Sequence, residues 1–230
     1  MPSSGSSTAP IITPRYLDID GSRPAVVAEP LTPEAFAPFG SVISPGHLGA
    51  DASNTAAANQ GTAVKFIGVS HSRSLYSAAP SGKLPQQTNW NLFRCSPPTH
   101  LFSDEGESGK RVYLAKVLEQ HPYSSQTFLP LGRNPTKPAY IVIVSLKDKD
   151  GLPDLSTIRA FIATGAQAVT YGAATWHAPM VAIDSTTDFA VLINENGVPE
   201  EDCQEIYYTP GFRVDFSKAG PAAPELQSQL

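Results

Sequence analysis

Residues 118–131 have the sequence LEQHPYSSQTFLPL, which predicts a strand, a turn and a second strand. Pro122 cannot donate a hydrogen bond to a neighbouring strand, and the serines that follow it favour a turn. Side chains alternate between the two faces of a strand, so Glu119 and His121 point to the same face. A turn after Pro122 would bring Gln126 back beside them.

This stretch has two interpretations. In the first, the carboxylate, the imidazole and the carboxamide converge in a pocket and take part in chemistry there. In the second, His121 and Gln126 only satisfy backbone groups at the end of a strand. A second histidine, in the downstream sequence Trp176-His177-Ala178-Pro179, favours the first interpretation.

Short β-like runs separated by Gly, Pro, Asn and Ser follow one another along most of the chain, a spacing typical of a sandwich or barrel. Residues 139–146 form a continuous, largely β-branched run, which predicts a central strand buried on both faces. The predicted strands cover residues 41–43, 64–69, 89–95, 111–119, 127–131, 139–146, 158–163, 167–171, 180–183 and 188–194. We therefore expect an all-β fold.

One short helix and one long loop precede most of these strands. Thr32 is a typical N-cap, Pro33 suits the first helical position, and Gly40 would end the segment. Residues 45–61 are rich in Gly, Ala and Asn and predict a loop. We expect flexible tails at 1–13 and 218–230, whose Ser, Pro, Ala and Gly bury little apolar surface, and a single catalytic domain at 14–217.

Composition narrows the class of protein. Hydrophobic residues make up 41% of the 230 residues, and the formal net charge of −5 argues against a nucleic-acid or anionic-membrane partner. The two cysteines have no zinc-site spacing and predict a reducing compartment. Without an apolar signal segment, we expect a cytoplasmic protein; the end Ser228-Gln229-Leu230 only loosely resembles a peroxisomal address.

A barrel leaves a mouth at which polar groups can hold a small ligand. Glu119, His121 and Gln126 resemble the first cupin motif, and a glycine, a short strand and a turn before His177 resemble the second. The resemblance implies a cupin-like barrel, that is, a double-stranded β-helix or jelly roll. It also implies that these four side chains could hold a divalent metal, nickel or manganese. Glutamine and glutamate at two of the positions argue for weak binding.

Four segments resemble the ureidoglycolate lyase family: residues 31–40, 119–130, 153–161 and 175–179. The resemblance extends over about residues 28–210, leaving out the tails, the 45–61 loop and the insertion-like residues 103–110. It implies a homodimeric cupin that splits ureidoglycolate into glyoxylate and urea during allantoin breakdown.

Ureidoglycolate is a small anion, and its cleavage needs a base, an acid and a cation for the carboxylate. His121, His177 and Glu119 are the candidate catalytic or metal-binding residues, because neutral imidazole suits both tasks near pH 7. Arg94 is the candidate carboxylate ligand, with a surface ion pair as the alternative. Lys65 and Arg159 have the same ambiguity.

The remaining candidates concern the pocket wall and the reaction. Gln126, Tyr171 and Trp176 are expected to contact substrate, although the two aromatic residues are most simply core or wall. Two other functions stay open: a hydrolase that releases ammonia from the same substrate, and a barrel that binds a small acid without catalysis. The nitrogen product and a glyoxylate assay distinguish them.

Overall fold

The computed structural model describes residues 13–47, 54–106 and 109–219. The predicted tails and the centre of the 45–61 loop lie largely outside these ranges. Two short α-helices are present in the described part, α1 (Pro33–Phe36) and α2 (Pro199–Asp202), together with short 3-10 turns. Neither of these helices is long enough to cross a membrane.

Strands dominate the described chain and confirm the all-β, cupin-like prediction. They are β1 (Arg15–Asp18), β2 (Val26–Val27), β3 (Glu29–Pro30), β4 (Gly40–Ile43), β5 (Thr55–Ala58), β6 (Ala63–Phe66), β7 (Thr88–Cys95), β8 (Phe102–Glu105), β9 (Lys110–Gln120), β10 (Gln126–Leu131), β11 (Pro138–Ser145), β12 (Arg159–Thr164), β13 (Ala168–Tyr171), β14 (Trp176–His177), β15 (Val181–Ala182), β16 (Thr187–Asn194) and β17 (Gln204–Asp215).

Two sheets face each other across a shared core. The larger sheet has the order β1-β17-β9-β14-β11-β12-β3, with β2, β8 and β15 paired to its members, and the smaller has the order β4-β13-β10-β16-β7. The core between them includes Val142 and Val144 of β11, Phe128 of β10 and Phe189 of β16. Ile143 of β11 points to a second core on the opposite face of the larger sheet. The prediction that β11 is buried on both faces is therefore confirmed.

The predicted helix start is confirmed in detail. The Thr32 hydroxyl accepts a hydrogen bond from the Ala35 amide, and Pro33 occupies the first helical position. Gly40 begins β4 with φ +154, and a Cβ at this position would lie 1.9 Å from the Thr170 carbonyl oxygen. Only glycine therefore allows β4 to approach β13 this closely.

The chain path differs from the prediction at β5 and at β17. Part of the predicted loop 45–61 is strand β5, which pairs with β6 in a separate two-stranded sheet. The alanines of β5 have low β-propensity, so the hairpin partner determines their conformation. Strand β17 was not predicted, because Pro210-Gly211 in its middle is a typical turn signal. The structure accommodates them at a register shift between Tyr207 and Phe212, where β17 pairs with β9.

Candidate active site

Strand β14 places His177 at the centre of the larger sheet. In the strand register, His177 is opposite Val144 on one side and Glu119 on the other. Directly opposite residues share a face, and Val144 belongs to the core between the sheets. His177 and Glu119 therefore point into the barrel, where His177 Nε2 lies 3.4 Å from Glu119 Oε1.

His121 reaches the same interior from a turn. The predicted turn is present, with the Ser124 amide donating to the His121 carbonyl oxygen at 3.4 Å. The ring nitrogen Nδ1 of His121 lies 2.7 Å from the carbonyl oxygen of Asp202. Its Nε2 is buried and has no hydrogen-bond partner among the described residues.

The two histidines are oriented in the same way. His177 Nδ1 lies 2.9 Å from the carbonyl oxygen of Thr175, as His121 Nδ1 does from that of Asp202. A carbonyl oxygen can only accept, so each Nδ1 carries the proton and donates it. In the neutral rings, both Nε2 atoms therefore present a lone pair to the interior.

Gln126 and Tyr171 complete the cluster from the smaller sheet, where they are directly opposite each other in β10 and β13. The Gln126 side-chain oxygen lies 3.2 Å from His177 Nε2. The Tyr171 ring stacks on the His177 ring with centroids 3.9 Å apart and 13° between the planes. Its hydroxyl is buried without a hydrogen-bond partner among the described residues.

The electrostatics favour a neutral imidazole beside a carboxylate. Burial lowers the pKa of His121, the charge of His177 lowers it further, and Glu119 only partly opposes these effects. Burial alone would raise the pKa of Glu119, but its interactions with His177, and with His121 nearby, outweigh burial and lower the pKa. Both groups are therefore in their metal-binding forms near pH 7.

These donors fit a divalent cation. The ligand atoms of Glu119, His121 and His177 lie within 4.8 Å of one another. The His177 lone pair faces two oxygens that also accept, one from Glu119 and one from Gln126, so a positive charge between them would remove the mismatch. Histidines held by Nδ1–H donation to carbonyls are typical metal ligands.

Comparison with known proteins identifies the family. The family model described as ureidoglycolate lyase matches residues 23–215. The chain belongs to the ureidoglycolate lyase family. A ureidoglycolate lyase of Saccharomyces cerevisiae is 45% identical over 194 residues, which cover 81% of this chain and 95% of the relative. One from Schizosaccharomyces pombe is 42% identical over 179 residues, covering 78% and 89%. One from Burkholderia mallei is 35% identical over 180 residues, covering 75% and 88%.

Not every candidate residue of this ureidoglycolate lyase family member joins the cluster. Arg94 lies in β7 opposite Asp188, and their side chains form an ion pair of 2.8 Å that leaves the arginine 72% exposed. In the same sheet, Asn89 of β7 is level with Gln126, because both are opposite Ile193. Five strand residues, about 17 Å, therefore separate Arg94 from the level of the site. Arg94 therefore forms the surface ion pair that was the alternative to contact with the substrate carboxylate.

Three other candidates also lie elsewhere. Lys65 is exposed on β6, in the separate hairpin sheet. Arg159 forms an ion pair with Glu29. Trp176 precedes His177 in β14 and points to the opposite face, where it is buried in the second core and its indole N–H donates to the Gly151 carbonyl at 3.0 Å. Alternation along the strand thus places Trp176 in the core and excludes it from the cluster.

The segment that leads into β17 contributes two groups that the sequence motifs do not include. Asp202 supplies the carbonyl that orients His121, and Glu205 is directly opposite Glu119. The β-branched and aromatic residues Ile206, Tyr207 and Tyr208 are a strand signal, and alternation along that strand could have placed Glu205 on one face. The pairing of that strand with β9 is not encoded in any local pattern.

Proposed function

We propose that this chain is a ureidoglycolate lyase that converts ureidoglycolate to glyoxylate and urea. The proposal rests on the convergence of Glu119, His121, His177 and Gln126, with both imidazoles presenting Nε2 to the same interior. The names of the relatives support the substrate, and the site supplies groups that suit its chemistry.

The proposed reaction breaks one carbon–nitrogen bond without oxidation or reduction. A base removes the proton of the substrate hydroxyl, and the oxygen electrons form the carbonyl of glyoxylate. The carbon–nitrogen bond breaks at the same carbon, and its electron pair stays on the urea nitrogen. An acid returns a proton to that nitrogen, so the atoms and charges of the substrate are conserved in the two products.

The residues of the cluster divide this work. Glu119 and the neutral histidines are the groups able to take up a proton near pH 7. Tyr171, whose hydroxyl is free to donate, is proposed to bind a substrate oxygen, while its ring holds His177 in place by stacking. Gln126 provides a further polar contact on the opposite wall of the site.

We also propose a divalent cation, nickel or manganese, held by His121, His177, Glu119 and Gln126. Such an ion would supply positive charge for the carboxylate and hydroxyl oxygens of the substrate. This assignment gives the substrate carboxylate a partner that Arg94, in its surface ion pair, does not provide. Nickel and manganese both accept imidazole and oxygen ligands.

A homodimer is the proposed assembly, formed through the outer face of the smaller sheet. Trp90, Leu92, Leu129 and Leu131 are 61%, 64%, 39% and 43% exposed on this face. The strand pairings place these four side chains on one side of the sheet, and Trp90 and Leu92 belong to its edge strand β7. A contiguous apolar face at an open sheet edge favours contact with another chain.

We place the catalytic domain at residues 14–217 and the protein in the cytoplasm.

One assay tests the function. Purified protein is incubated with ureidoglycolate, and glyoxylate, urea and ammonia are measured together. A lyase releases glyoxylate and urea in equal amounts and no ammonia. Release of ammonia would instead identify a hydrolase, and the absence of every product, with and without added nickel or manganese, would identify a binding protein.

A further inference from the structure

Glu205 extends the row of polar side chains on the inner face of the larger sheet. In the strand register, His177 of β14 is opposite Glu119 of β9, and Glu119 is opposite Glu205 of β17. A carboxylate oxygen of Glu119, a carboxylate oxygen of Glu205 and the sulfur of Cys203 lie within 4.8 Å of one another. Glu205 is partly exposed, so it stands at the border between the cluster and solvent.

Glu205 forms no ion pair within the described residues, although Arg15 of β1 lines the same pocket. None of the ion pairs among these residues includes it. The Tyr207 hydroxyl donates to one of its carboxylate oxygens at 3.2 Å. Like charges directly opposite in neighbouring strands are unfavourable, so the pair with Glu119 is not explained by stability of the sheet.

The neighbouring Cys203 thiol does not offset the negative charges of Glu119 and Glu205. Burial raises the pKa of Cys203, and the charges of Glu119 and Glu205 raise it further, so the thiol stays protonated. The acceptors on the β17 side of the site are therefore the carboxylates of Glu119 and Glu205, and the Cys203 thiol is only a weak donor. The histidine side is the part suited to an anion, through the proposed cation.

We infer that Glu205 is a specificity-determining residue that accepts hydrogen bonds from the ureido group of the substrate and orients it toward β17. This inference rests on the proposed function. Ureidoglycolate carries a carboxylate, which only accepts, at one end and a ureido group with N–H donors at the other. Glu205 repels the first and accepts from the second, so the carboxylate is directed to the histidines.

Two probes separate the two ends of the substrate. N-carbamoylglycine contains the carboxylate and the ureido group, whereas glycolate contains the carboxylate and the hydroxyl but no ureido group. Their dissociation constants are measured by calorimetry on the full-length protein with and without a saturating divalent cation. The variant is Glu205→Gln, and the control is Glu34→Gln, which removes the same charge at an exposed position of α1.

Glu205→Gln is expected to raise the dissociation constant of N-carbamoylglycine about tenfold to a hundredfold, the usual effect of a lost hydrogen bond to a charged group. Glycolate binding is expected to stay within about twofold or to become tighter, since a repulsive charge is removed. Glu34→Gln should leave both constants unchanged. The affinity for the cation alone should also persist, because Glu205 is not in the proposed ligand set.

Equal weakening of both probes, or unchanged binding of N-carbamoylglycine, would overturn the assignment. If Glu205→Gln does not fold, Glu205→Asp retains the charge and is tested in the same way, with an intermediate loss expected for N-carbamoylglycine only. The measurement needs no turnover. Selective weakening without glyoxylate formation would therefore reject the lyase function and leave the role of Glu205 intact.

Discussion

The rings of His121 and His177 lie with centroids 5.5 Å apart, although they belong to different parts of the sequence. Each imidazole is fixed by its Nδ1, which donates to a carbonyl oxygen, and each Nε2 is thereby directed into the barrel. The common orientation indicates that the two rings serve one centre.

The two histidines should act as a unit. His121→Ala and His177→Ala are each expected to lower kcat about a hundredfold or more, and the double variant should lose little beyond either single change. The exposed residue His100 provides the control His100→Ala, which should retain normal activity. Steady-state kinetics with circular dichroism on each variant makes the measurement, and additive effects with near-normal activity would show that both histidines are structural.

Chelation tests the proposed cation. Activity should fall on treatment with a chelator and return on addition of nickel or manganese. A bound ion also stabilises the folded state, so the metal should raise the Tm of the stripped wild-type protein. The same rise should be absent in His177→Ala, which lacks one ligand. Activity and Tm that are both indifferent to chelator and metal would assign the histidines to direct proton transfer.

Arg94 should have little effect on catalysis. Its side chain is exposed and paired with Asp188 at the other end of the smaller sheet, so Arg94→Ala is expected to change KM for ureidoglycolate by no more than about twofold. Stability should also change little, because exposed ion pairs contribute little to folding. A tenfold increase in KM would restore Arg94 to the substrate site and require a second chain to bring it there.

Tyr171→Phe should lower activity without lowering stability. The Tyr171 hydroxyl is buried without a partner among the described residues, so its removal is expected to leave the free energy of unfolding unchanged or to raise it by about 1 kcal/mol. If this hydroxyl binds the substrate, kcat/KM should fall about tenfold while the ring still stacks on His177. Urea denaturation and kinetics on the same preparation measure both, and unaltered kinetics would remove Tyr171 from the site.

Trp90→Glu tests the proposed dimer face. A charge on this apolar surface should shift the protein from dimer to monomer in sedimentation velocity, by at least a tenfold increase in the dimer dissociation constant. Lys65→Glu, which introduces the same residue at an exposed position of the separate hairpin, is the control and should sediment as the wild type does. An unchanged dimer in Trp90→Glu would place the interface on another surface.

Much of the fold follows from local patterns in the sequence. The continuous apolar run of β11 predicts burial on both faces, and Thr32 followed by Pro33 predicts the start of α1. Failures of this reasoning also have local causes. Alanine-rich β5 and the Pro210-Gly211 pair within β17 carry signals for other conformations, which pairing with neighbouring strands overrides.

Only part of the candidate site can be predicted from the sequence. Alternation places Glu119 and His121 on one face, and the turn after Pro122 returns the chain toward Gln126, because these relations depend on a few successive residues. The sequence alone therefore determined the strand–turn–strand segment and its polar set. Tertiary structure alone decided that β14 lies between β9 and β11, that Glu205 stands opposite Glu119, and that Arg94 is at the far end of its sheet. Those relations join segments distant in the chain, and they are decided by which strand faces can be buried together.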